Sequence, residues 1–82
     1  MDKLLNARSQ IDKIDDQIME LLDERYSLSI QIGKIKQETK SPVLDSNREQ
    51  TVLDKTSKLT HSHTIRNVYK SIMDESKKLQ GK

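Results

Sequence analysis

From Leu4 onward the chain sets apolar residues at Leu4, Ala7, Ile11, Ile14, Ile18, Leu21, Leu28, Ile32 and Ile35. Most steps are of three or four, the pattern of one buried stripe along a continuous helix. No proline interrupts the stretch from about Asp2 to Thr39, which at about 1.5 Å per residue predicts a helix some 55 Å long. A compact monomer of this length would have a radius of gyration of about 12 Å. A helix that long overhangs its own domain and leaves its stripe bare, so the sequence implies a second chain as its cover.

The stripe is broken at one place. Between Leu21 and Leu28 it asks for an apolar residue at position 25, and the chain supplies Arg25. A cation on a buried seam is costly unless something anionic meets it. Lys36 follows about 20° around the axis and about 16 Å along it, so two long side chains can converge on one small anion. Gly33 lies inside the same helix at a cost of about 1 kcal/mol against alanine; close approach of another backbone or of a ligand would explain it, and chance is the other reading.

The rest of the 82-residue chain suggests one small all-α domain spanning residues 1–82, with one long, one short and one medium helix. Pro42 ends the first helix and biases Ser41 away from helical angles. Asp45 or Ser46 is a good N-cap, and Glu49 stands three residues after Ser46 as in a capping box. A second helix is expected from about Asn47 to Lys58, with Arg48, Glu49, Val52, Leu53 and Thr56 inward. Thr60-His61-Ser62 reads as a polar connection with Ser62 as N-cap. A third helix is expected from about His63 to Gln80. Its inner face would run Ile65, Val68, Tyr69, Ile72, Met73, Ser76, Leu79 and Gln80, with Gly81 at its end.

The inward faces thus collect Arg25 and Lys36, with Arg8 at the stripe's edge, then Asp45, Arg48 and Glu49, then Ser76 and Gln80. This cation-rich set with two acids and two neutral hydrogen-bonding groups suits a small dianion that also carries a hydroxyl. Other chemistries lack their parts. His61 and His63 read as solvated, and no His or Cys cluster has metal spacing. No serine has a histidine base at a recognisable spacing, and no glycine-rich phosphate loop is present. An enzyme built from these residues works by electrostatic stabilisation and conformational restraint. Charged residues make up 34% of the chain, yet the net charge is only +2, which gives no electrostatic case for nucleic acid or an anionic membrane. There is no cysteine, and no signal peptide or transmembrane span is evident; a cytoplasmic protein is expected.

Taken in order, Leu4-Leu5, Arg8, Ile11 and Asp15, Leu21-Leu22, Glu24-Arg25, Gly33-Lys34-Ile35-Lys36, Pro42-Val43, Asp45, Arg48-Glu49, Ser76 and Gln80 resemble the all-helical (AroQ-class) chorismate mutases across essentially the whole chain. The connection around His61 is shorter than in several members of that class. The resemblance implies an intertwined homodimer of three-helix chains in which the long first helices pair. It implies chorismate as substrate, prephenate as product, and no cofactor or metal. Arg25, Lys36 and an Arg8 from the partner chain match the cations that hold the two substrate carboxylates. Lys36 and Gln80 match the pair on the ether oxygen. Glu49, with Asp45 beside it, matches the acceptor for the ring hydroxyl, and Arg48 and Ser76 match residues on the carboxylate side. Other readings are an isochorismate-pyruvate lyase of the same fold, a regulatory chorismate- or prephenate-binding domain of a shikimate-pathway enzyme, and a purely structural helical dimer or adaptor.

Overall fold

A computed structural model describes residues 2–81. Those residues form α1 (Asp2–Thr39), α2 (Ser46–Asp54), a 3-10 turn (Lys55–Lys58) and α3 (Ser62–Gln80), with no strand among them. The architecture is the expected all-α one of a long, a short and a medium helix. Its largest extent is 56 Å and its radius of gyration 16.1 Å, well above the value of about 12 Å for a compact chain of this length. The excess comes from α1, whose amino-terminal half projects beyond the other helices.

The carboxyl-terminal half of α1 packs against α3. Along it Ser29 and Gly33 are buried, and Leu22, Arg25, Tyr26 and Lys36 are half-buried. Gly33 is there for close packing: a Cβ built on it would lie 2.6 Å from the Gln80 carbonyl oxygen and 2.7 Å from the Gln80 Cα. The close approach expected at Gly33 is that of the α3 backbone. Beneath α1 the small core gathers Val52 and Leu53 of α2 with Met73 of α3, and Tyr69 packs against them. Thr56 is also buried, its hydroxyl donating to the Leu53 carbonyl at 2.7 Å.

The apolar stripe stays bare within the chain. Leu4, Ile11, Ile14, Ile18, Leu21, Leu28, Ile32 and Ile35 are each between 43% and 64% exposed. Arg25 lies at the border of this stripe, on the side turned to α3, and so belongs to the interhelical face.

Four local expectations are corrected. The second helix is α-helical only to Asp54 and tightens into the 3-10 turn from Lys55 to Lys58. Asp45 is its N-cap, accepting from the Arg48 N–H at 3.0 Å, so Ser46 and Glu49 form no capping box and the Glu49 side chain is free for other work. His61, not Ser62, occupies the N-cap position of α3 and makes no side-chain cap bond; Ser62 is already helical. Val68, placed on the inner face, is 53% exposed.

The end of α1 determines how the chain enters the site. Lys40 adopts a left-handed conformation with φ of 56°. The Ser41 N–H bonds the Lys36 carbonyl at 2.8 Å, and the Lys40 N–H bonds the Gln37 carbonyl at 3.3 Å. This pair is a Schellman closure. It reverses the chain within two residues and brings the Val43 carbonyl back to the Lys36 ammonium, 2.8 Å away.

Candidate active site

A cavity of about 410 Å³ lies among α1, α2, α3 and the segment that joins the first two. Seven of the eight residues singled out in the sequence line it: Arg25, Lys36, Asp45, Arg48, Glu49, Ser76 and Gln80. Arg8 does not. It is exposed on the projecting half of α1, about 25 Å along the helix from Arg25.

The cations on α1 are held by uncharged groups. Arg25 Nη1 donates to Ser76 Oγ at 2.6 Å, and its guanidinium lies 6.0 Å from the Tyr69 ring centre, within reach of the ring's attraction for cations. Lys36 Nζ donates to the Val43 carbonyl at 2.8 Å and to Gln80 Oε1 at 2.9 Å. An ammonium has three N–H donors, so one remains for a ligand. With Gln80 Oε1 engaged by Lys36, the amide NH₂ remains as the donor group of Gln80.

The opposite wall carries the acids. Glu49 is half-buried, and its Oε2 is buried without accepting a hydrogen bond. Lys77 Nζ stands 3.3 Å from that oxygen, at ion-pair distance though not aligned as a donor to it, and 3.4 Å from Asp74 Oδ1. The hydrogen bond from Lys77 to Glu49 is the main cause that raises the Lys77 pKa above its usual value. Asp45 serves both as the cap of α2 and as a wall of the cavity.

Lys77 is the charged wall residue that the sequence reading missed. Met73, Ser76, Lys77 and Gln80 repeat at helical spacing on one face of α3, a signal that could have found it. A cavity of this size with apolar walls from Leu28, Ile32, Val52 and Met73, lined by the cations Arg25, Lys36, Arg48 and Lys77 and the acids Asp45 and Glu49, is suited to a small, polar, doubly anionic molecule. Among the described residues no group of His, Cys, Asp or Glu is placed to hold a metal ion.

The family model for chorismate mutase type II matches residues 7–81. The chain belongs to the chorismate mutase type II family. A chorismate mutase of Methanocaldococcus jannaschii is 31% identical over 98% of this chain and 86% of its own length. A bifunctional chorismate mutase/prephenate dehydratase of Aquifex aeolicus is 38% identical over 67% of this chain, a match that takes in 15% of that larger protein. Among solved structures, a conserved hypothetical protein from Pyrococcus furiosus superposes with a TM-score of 0.84 at 37% identity, covering 95% of each chain. The chorismate mutase resemblance read from the sequence therefore holds, and neither a lyase nor a purely regulatory reading is favoured.

Proposed function

We propose that the cavity is where this chorismate mutase domain rearranges chorismate to prephenate, on the route to phenylalanine and tyrosine. Residues 1–82 act as one catalytic domain in a cytoplasmic homodimer, with each site completed by Arg8 of the partner subunit. The observation that carries the site assignment is the cluster Arg25–Ser76 and Lys36–Gln80, which sets two cations and an amide in one cavity with the Glu49 carboxylate.

The reaction needs no nucleophile and no obligatory proton transfer. One carbon–oxygen bond of the ether breaks while a carbon–carbon bond forms within the same molecule. The enzyme's task is to hold a flexible dianion in its compact conformer and to stabilise negative charge growing on the ether oxygen. Arg25, Arg48 and Ser76 serve the carboxylates, joined by Arg8 from across the dimer. The free N–H of Lys36 and the Gln80 amide meet the ether oxygen. Glu49 accepts from the ring hydroxyl, with Asp45 beside it. Because Gln80 is a neutral amide, its donor does not depend on acid pH.

The bare stripe on α1 supports the dimer. Eight large apolar side chains stand exposed in a row along one helix, a surface that monomers rarely present. A two-fold pairing of α1 helices buries it and carries each Arg8 to the other chain's cavity, repeating the contact twice.

The test is incubation of purified protein with chorismate, following loss of chorismate and appearance of prephenate, with isochorismate as a parallel substrate. Prephenate formed well above the uncatalysed rate, without pyruvate release from isochorismate, is the expected result. Absence of catalysed prephenate formation would overturn the assignment.

A further inference from the structure

Glu49 is the acid of the cavity whose place is least secured by its own helix. It faces Arg25 and Lys36 of α1 across the cavity, Asp45 and Arg48 of α2 beside it, and Lys77 of α3, which Asp74 flanks on the outer side. Cations of α1 and of α3 both line the cavity with it. Pairing with Arg25 or Lys36 would neutralise the charges that a dianionic ligand requires. The structure shows the other arrangement: Glu49 sits with Lys77, 3.3 Å from Oε2 and 3.5 Å from Oε1, and Arg25 and Lys36 keep uncharged partners.

We infer that Lys77 is a positioning residue that holds the ionised Glu49 carboxylate on the α2–α3 side of the cavity. It does two things there. Its one hydrogen bond, at 3.5 Å, goes to Oε1 and none goes to Oε2, so the carboxylate keeps acceptor capacity for a hydroxyl donor from the ligand. It also keeps Glu49 from competing with the ligand's carboxylates for Arg25 and Lys36. Asp74, 66% exposed and one helical turn before Lys77, steadies the ammonium from outside, and the Lys77 pKa is raised chiefly by the hydrogen bond to Glu49. The inference rests on the reading of this cavity as the chorismate site.

The experiment compares wild type, Lys77→Met, Lys77→Arg and Glu49→Gln. NMR titration of the Lys77 ammonium in the ligand-free protein reads the pairing without any activity. The hydrogen bond to Glu49 is the main cause that raises the Lys77 midpoint, so Glu49→Gln should bring it down toward the ordinary lysine value. Steady-state kinetics should show the KM for chorismate rising about fivefold in Lys77→Met, the worth of one partly exposed ion pair, with a smaller change in kcat. A merely structural lysine would keep its midpoint in Glu49→Gln and leave KM where it is in Lys77→Met; that result, or Lys77→Arg behaving like Lys77→Met, overturns the inference. Glu49→Gln separates the two levels. If it turns over chorismate like wild type, the role of Glu49 in the site is wrong, and the titration still reports on Lys77. Lys77 is half exposed, so Lys77→Met is expected to fold; if it does not, Lys77→Gln carries the same test.

Discussion

Gly33 of α1 and Gln80 of α3 touch through their backbones, with room for no side chain between them: a Cβ at Gly33 would stand 2.6 Å from the Gln80 carbonyl oxygen. This contact sets the separation of the two helices at the level where Lys36 meets the Gln80 amide.

Gly33→Ala is therefore expected to lose stability and activity together. Alanine gains about 1 kcal/mol of helix propensity, but the atoms it meets are backbone and cannot rotate away. Overpacking of this kind costs about 1–3 kcal/mol, and relief requires α3 to move and carry Gln80 with it. Thermal unfolding and kcat measure the two effects. A variant with both values unchanged would show that the helices separate at no cost.

Lys36→Ala and Gln80→Ala should each lower kcat far more than they disturb folding. Losing one preorganised donor to a developing oxyanion costs about 10²–10³ in rate. The check is turnover alongside circular dichroism melting. Near-normal turnover in both would remove them from the ether oxygen.

Arg8→Ala and Arg25→Ala should complement one another. Each homodimer is expected to be nearly inactive. Unfolded together and refolded as an equal mixture, random pairing gives about half heterodimers. Each heterodimer has one site with both arginines and one with neither, so about a quarter of wild-type activity should return. Heterodimers that form without recovering activity would confine Arg8 to its own chain.

Lys40→Gly should stabilise the domain by about 0.5–1 kcal/mol. Lys40 holds a left-handed conformation that costs an L-residue about 1–2 kcal/mol, and the greater freedom of glycine in the unfolded chain offsets part of the gain. The expected signature is a higher denaturation midpoint with an unchanged slope.

How far these features could be read beforehand depends on the length scale of the interaction that creates them. The range of α1 followed from periodicity, because nearly forty residues repeat one pattern. The gathering of Arg25, Lys36, Glu49, Ser76 and Gln80 at one cavity followed from polar residues standing where apolar ones belong. Lys77 was hidden because it is one of 15 lysines and arginines and breaks no pattern; only the arrival of Glu49 from α2 gives it a role. Asp45 and Ser46 are equally good caps for α2 in the sequence, and Asp45 takes the position, whereas the α3 cap falls at His61, one residue before the expected Ser62. The backbone geometry that decides between them is tertiary in origin. The 3-10 ending of α2 likewise arises where a short helix turns beneath α3, beyond what local propensity encodes.

Arg25 and Lys36 are held by a hydroxyl, a backbone carbonyl and an amide oxygen, and among the described residues neither has an acid at ion-pair distance. The fold thus gathers positive charge that the unfolded chain spreads apart in water. A dianion entering the cavity takes part in the folding equilibrium itself, shifting it by RT ln(1 + [L]/Kd). The melting temperature of this domain should then track the concentration of whatever small dianion its surroundings supply, inorganic sulfate included.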